Sequence, residues 1–124
     1  MTETFIHKNK WESGYAETII VGGGAGFCEL RIWDDELENA YLYGVSVQEA
    51  HRRQGYGNQL LKVAIERAHE LGVKELRLSC LKDSFVAGWY ARKGFAAVPS
   101  TDEDAANLVL GDKYQKFAYA LHRD

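Results

Sequence analysis

Residues 41–71 constrain this chain more than any other stretch, because the hydrophobic period changes inside them. Tyr41, Tyr43, Val45 and Val47 alternate with Leu42, Gly44 and Ser46, the period of two expected of a strand. From Leu60 onward the apolar residues Leu60, Leu61, Ala64, Ile65, Ala68 and Leu71 return at helical spacing. Lys62, Glu66, Arg67 and Glu70 fall on the opposite side, and Gly72 stands where a glycine closes a helix. Between strand and helix lies Arg52-Arg53-Gln54-Gly55-Tyr56-Gly57. A helix opens with backbone N–H groups that lack intrahelical partners and carries a partial positive charge there. Glycines remove the Cβ atoms that would keep a ligand off those amides, and two arginines add forked donors. The stretch therefore reads either as a socket for phosphate or pyrophosphate, or as an ordinary strand–helix turn with solvated arginines.

What surrounds this unit narrows the choices. At 124 residues, 46% hydrophobic and 27% charged, the chain is expected to form one domain, residues 1–124, with a single core. A net charge of −3 argues against nucleic acid as an obligatory partner, which needs a basic excess on one face. No apolar run approaches the ~20 residues a bilayer crossing requires, and no signal peptide opens the chain, so no membrane association is expected. Cys28 and Cys80 fit no metal-ligand spacing and read as reduced, buried thiols of a cytoplasmic protein. None of His7, His51, His69 and His122 forms a metal spacing either, so no metal is expected.

The first forty residues read as an antiparallel meander. Thr4 to Lys8 is a short strand, Trp11-Glu12-Ser13-Gly14 a turn, and Ala16 to Val21 a second strand built on Thr18-Ile19-Ile20-Val21. Gly26 to Trp33 alternates Phe27, Glu29, Arg31 and Trp33 against Cys28, Leu30 and Ile32. Asp34 to Asn39 forms an acidic turn into the strand at Tyr41. Gly22-Gly23-Gly24-Ala25-Gly26 imitates a dinucleotide fingerprint, but the sixth place from Gly22 is Phe27 and from Gly24 is Glu29. A strand follows instead of a helix, so the run reads as a hairpin turn. Downstream, Lys74 to Cys80 is a strand, Thr101 to Leu110 holds a helical turn, and Tyr114 to His122 is a closing strand partnered with Phe95 to Val98.

Arg52-x-x-Gly55-x-Gly57 directly after a strand resembles the acetyl-CoA pyrophosphate loop of the GCN5-related N-acetyltransferases, the GNAT superfamily. Asp83 to Phe95 resembles that family's second signature: Asp83 stands at the usual Asn, Tyr90 at the Tyr seven residues on, and Gly94-Phe95 at the Gly-Phe that follows. The two motifs occur in the family's order, and the resemblance covers Tyr41 to about Val98. It implies an α/β fold with a mixed, mostly antiparallel sheet, a splay between its central strands, and helices on both faces. The family's helix pair between the first two strands has no room here. That departure implies an acceptor side either open in the monomer or completed by a second copy of the chain.

The resemblance also implies roles. Acetyl-CoA would be the acyl donor and an amine the acceptor. Val45, Ser46 and Val47 would pair with the pantetheine arm, with the pyrophosphate on the amides of Arg53, Gln54, Gly55, Tyr56, Gly57 and Asn58, countered by Arg52 and Arg53. Tyr90 would protonate the departing thiolate, or pack beside Trp89 and Phe95. Asp83 would either touch the cofactor or cap the helix that follows. The base is the weakest assignment: neither Tyr41–Val47 nor Leu76–Cys80 contains an acid, and Glu29 is the best-placed carboxylate, though one facing Arg31 suits a surface pair equally. Two other readings stay open, a non-catalytic acyl-CoA-binding module and a domain whose arginine–glycine turn binds another phosphate.

Overall fold

A computed structural model describes residues 4–81, 84–98 and 114–121. Its strands are β1 (Thr4–Trp11), β2 (Gly14–Val21), β3 (Gly26–Trp33), β4 (Glu36–Val47), β5 (Glu75–Leu81), β6 (Ala96–Val98) and β7 (Tyr114–Ala120). Its helices are α1 (Tyr56–Glu70) and α2 (Phe85–Arg92). The strands hydrogen-bond in the order β1-β2-β3-β4-β5-β7-β6, one mixed, mostly antiparallel seven-stranded sheet. By its contacts the chain forms two compact units, Met1–Leu76 with Leu121–Asp124, and Arg77–Ala120.

In the first unit β1 to β4 form the expected meander. β1 runs three residues past Lys8, and a tight turn at Glu12-Ser13 returns it to β2 in register from Thr4↔Val21 to Trp11↔Gly14. No helix intervenes between these two strands. β3 has the predicted bounds, and its alternation holds: Cys28, Leu30 and Ile32 are buried while Phe27 is exposed. With Ile19, Val21 and Leu42 they form the face that α1 covers, through Leu60, Leu61, Ala64 and Ala68. The helical period of residues 60–71 thus selects the buried stripe, with Ile65 and Leu71 half-buried at its margins. Gly72 adopts φ +78° and donates its N–H to the His69 carbonyl, the helix stop read from the sequence.

Three expectations change. The acidic run is not a turn throughout: β4 begins at Glu36, and Lys74 donates its N–H to the Glu38 carbonyl at 2.7 Å while its Nζ reaches Glu38 Oε1 at 3.1 Å. Tyr41, Tyr43, Val45 and Val47 do not share a face. Glu29 pairs with Tyr43 and Phe27 with Ser46, so β4 places Gly44 and Val45 where β3 places Cys28 alone. This bulge, with Gly44 at φ +61°, throws Tyr41, Tyr43 and Ser46 to one side and Leu42 and Val47 to the other. Arg67 is not on the solvent side. It forks onto the buried Glu17 of β2, Nε to Oε1 and Nη2 to Oε2 at 2.8 Å each, and also bonds Glu70.

In the second unit α2 is capped by Ser84, whose Oγ accepts from the Ala87 N–H at 3.2 Å. This serine, not Asp83, makes the observed cap; Asp83 itself lies outside the described residues, as does the helical turn expected at Thr101 to Leu110. β6 and β7 pair antiparallel, Ala96↔Ala118 to Val98↔Lys116, as the sequence suggested.

Candidate functional site: an amide run at the start of α1

The backbone leaving β4 makes a short 3₁₀ turn at Glu49–His51 and then takes two left-handed steps, Arg53 at φ +65° and Gly55 at φ +86°. Among the described residues Arg53 is the only non-glycine with positive φ. A residue with a Cβ is strained in that conformation, and such residues gather where a backbone is held for a ligand. The first bond of the α1 ladder is Gln59 N–H to the Gly55 carbonyl at 3.0 Å. Among the described residues, the amides from Arg53 to Asn58 therefore have no hydrogen-bond acceptor. Alternating left- and right-handed steps turn consecutive N–H groups inward, and the helix dipole adds positive potential at the same place.

This loop is propped from behind by the glycine run that imitates a nucleotide fingerprint. Gly22–Gly24 form a 3₁₀ turn, and Tyr56 packs its ring against Gly22, where an added Cβ would lie 2.6 Å from Cε1. Gly22 also sits at φ +61°, so both space and backbone demand glycine there. Gln48 ties the end of β4 to the same turn, its N–H to the Ala25 carbonyl at 2.8 Å and its Nε2 to the Gly24 carbonyl at 3.2 Å. His51 meets the Tyr56 ring edge-on at 6.2 Å. Sequence reasoning read the glycines correctly as a turn but missed that the turn positions Tyr56; only a contact between residues far apart in sequence reveals it.

The arginines differ. Arg52 turns back, its Nε donating to the Val47 carbonyl at 3.3 Å, while Arg53 is exposed. Val45 and Val47 are half-buried and Ser46 exposed, next to the Gly44 bulge that alters the direction of β4 there. Glu29 accepts from Arg31 Nε at 2.8 Å, and the Arg31 guanidinium lies over the Tyr43 ring at 4.2 Å. In the second unit Tyr90 is 5% exposed and meets Trp89 at 4.9 Å and Phe95 at 5.4 Å, both edge-on. Gly94 at φ +100° turns the chain so that Phe95 donates its N–H to the Tyr90 carbonyl at 3.1 Å. Tyr90 is thus a packed side chain in a built aromatic cluster.

The thiols are not activated. Burial pushes Cys28 up to about 12, and it raises Cys80 as well. No group of three or more metal-ligating side chains occurs among the described residues, and no helix there is long and apolar enough to cross a membrane.

The fold has counterparts among solved structures. A GNAT-family protein of Desulfovibrio desulfuricans superposes with a TM-score of 0.73 at 17% identity, over 86% of this chain and 70% of that one. A GNAT-family acetyltransferase of Elizabethkingia anophelis, solved with acetyl-CoA bound, gives 0.68 at 19% identity over 95% and 98%. The N-acetylglutamate synthase of Neisseria gonorrhoeae, solved with coenzyme A and N-acetyl-glutamate, gives 0.67 at 18% identity. The match covers 87% of this chain but 26% of the synthase. At these identities the likeness is one of fold. No curated protein sequence matches the chain. The model of the acetyltransferase (GNAT) family matches residues 5–95, and the chain belongs to that family.

Proposed function

We propose that this protein transfers the acetyl group of acetyl-CoA directly to an amine acceptor. The observation that carries the reading is the run of unpartnered amides from Arg53 to Asn58 at the start of α1, with Arg53 held left-handed beside them. A diphosphate supplies the acceptors that those donors lack, and Arg52 and Arg53 counter its charge. Val45, Ser46 and Val47, just upstream of the loop, hold the pantetheine arm through their main-chain groups, as the family resemblance implies. Asp83, outside the described residues, is assigned to the cofactor by the same resemblance.

Tyr90 is the acid. A free thiol titrates near ~8.5 and a free tyrosine near ~10, so protonating the leaving thiolate is slightly uphill, and the phenol acts mainly by donating a hydrogen bond as charge builds on sulfur. Glu29 is the carboxylate assigned to the acceptor ammonium; its Oε2 has no hydrogen bond among the described residues. The acceptor side is completed by a second copy of the chain, in a cytoplasmic dimer. The bound N-acetyl-glutamate of the Neisseria synthase supports an amine as the acceptor class.

One observation favours a second reading. Glu29 is already ion-paired with Arg31, which suits a module that binds acyl-CoA without turning it over. Two measurements decide. Calorimetry with acetyl-CoA is expected to show binding that Gly57→Glu abolishes, and unchanged binding in that variant overturns the socket. A thiol-release assay over an amine panel is expected to show turnover, reduced by ~10²-fold in Tyr90→Phe with little change in affinity. Binding without turnover for any amine selects the second reading.

A further inference from the structure

The meander has two faces, and only one is covered by α1. Strand register sorts the other into four rows running across the strands. The first is Phe5, Ile20, Phe27 and Ser46, and the second His7, Thr18, Glu29 and Tyr43. The third is Asn9, Ala16, Arg31 and Tyr41. The fourth is Trp11, Gly14, Trp33 and Glu36, the two indoles meeting edge-on at 5.3 Å. Phe5 is 55% exposed, Phe27 47% and Tyr43 39%, so large aromatic surface is left in water. The two lysines of these strands, Lys8 and Lys10, both lie on the α1 side, with Lys8 over the Tyr15 ring. A face rich in Phe, Tyr and Trp with one arginine and no lysine has the composition of a protein interface.

The order of the rows identifies the partner. Along β3 the rows read Phe27, Glu29, Arg31 and Trp33, and apolar, acidic, basic, aromatic is a self-complementary series. A two-fold axis parallel to the sheet and above this face, at right angles to the strands between the second and third rows, lays Phe5, Ile20 and Phe27 on the tryptophan row of a second copy. The same axis sets Glu29 against Arg31 of the partner subunit, twice by symmetry. We propose that this face is the interface of a homodimer packed sheet on sheet through β1 to β4. Strands of 8 residues at ~3.3 Å per residue and ~4.8 Å apart present ~500 Å² per copy, so the pair buries ~1,000 Å², the lower bound for a specific interface. The proposal gives the second copy of the preceding reading its surface, and it competes with that reading for Glu29, which becomes an interface residue instead of a base.

The test is sedimentation equilibrium on the whole chain. The protein is expected to dimerise in the micromolar range, and Phe27→Glu to weaken the dimer by ~30-fold or more. Glu29→Arg and Arg31→Glu each place like charges across the axis and are expected to be monomeric alone. Mixed, they are expected to form a heterodimer, because the two positive charges of the Glu29→Arg copy then meet the two carboxylates of the Arg31→Glu copy. Far-UV circular dichroism and acetyl-CoA calorimetry check that each variant is folded. A monomeric parent protein, or single variants that dimerise like the parent, overturns the proposal. So does a mixture of folded variants that stays monomeric. Failure of acetyl-CoA to bind a dimeric protein sinks the enzymatic reading and leaves this one standing.

Discussion

Alanine at Gly22 and at Gly23 separates the prop behind the candidate cofactor loop from backbone strain. Both glycines lie in the left-handed region, at φ +61° and +66°, so either substitution costs roughly 1–2 kcal/mol in backbone strain. At Gly23 the new Cβ meets nothing within 4 Å, and the cost ends there. At Gly22 it would lie 2.6 Å from Cε1 and 2.8 Å from Cζ of Tyr56, closer than such atoms approach, so the ring must move. Overpacking of that kind adds ~1–3 kcal/mol. Tyr56 is the first residue of α1, and its N–H belongs to the unpartnered run. Moving it costs about one charge-assisted hydrogen bond to a diphosphate, a loss of ~10-fold or more in acetyl-CoA affinity. Thermal melting is expected to fall by ~5 °C for Gly23→Ala and by ~10 °C or more for Gly22→Ala. Calorimetry is expected to find the affinity loss in Gly22→Ala alone. Equal effects of the two variants on both measurements refute the idea that the glycine turn positions the loop.

Other perturbations follow from the same geometry. Arg53→Gly relieves the left-handed strain and is expected to raise stability by ~1 kcal/mol in urea while weakening acetyl-CoA several-fold, opposite signs that a merely solvated arginine does not give. Arg67→Ala strands a Glu17 carboxylate that is 3% exposed and is expected to cost ~3–5 kcal/mol, most of it recovered by Glu17→Gln with Arg67→Met. A loss below ~1 kcal/mol refutes the buried pair. Cys28 is raised by burial from 9.0 to about 12, so its contribution is complete below the unfolded value and is lost as pH climbs through that window. Urea titrations from pH 8 to pH 11, at about unit steps, are expected to show an alkaline fall steeper by up to ~1.4 kcal/mol per unit than that of Cys28→Ala, in which Cys80 and Tyr15, also raised by burial, still contribute; parallel curves for the two proteins refute it.

Much of this was legible in the chain because local periodicity and core direction agree. Leu60, Leu61, Ala64 and Ala68 repeat at the helical period and all four are buried against the meander; Cys28, Leu30 and Ile32 repeat at the strand period and are buried too. The strand–helix junction at Arg52–Gly57 was legible for a different reason, since the glycines mark locally where the backbone must turn before α1. What periodicity cannot carry is a partner distant in sequence. Arg67 looks solvated on its helix until β2 brings Glu17 beneath it, and the glycine turn looks idle until Tyr56 lands on Gly22.

The bulge at Gly44 shows how such an error propagates. From Tyr41 to Tyr43 β4 alternates in phase with β3, Leu42 beside Leu30 on the buried side and Tyr43 beside Glu29 on the open one. One extra residue then shifts the phase, and Val47 faces the core beside Gly26 while Ser46 stands beside Phe27. A regular strand would have sent Val47 the same way as Tyr43, out into the open aromatic face. It would also have turned Ser46 toward the core, a hydroxyl among Val21, Leu30 and Leu60 with no partner named by the pattern. The extra residue keeps the valine inside and allows the strand to leave the sheet toward Gln48 and the amide run. Gly44 is therefore where the sheet's packing and the position of the candidate cofactor loop are reconciled. An alanine there, strained at φ +61°, tests both at once, because it favours the unbulged register whose misplaced Val47 and Ser46 would be read as lost stability and weakened acetyl-CoA binding together.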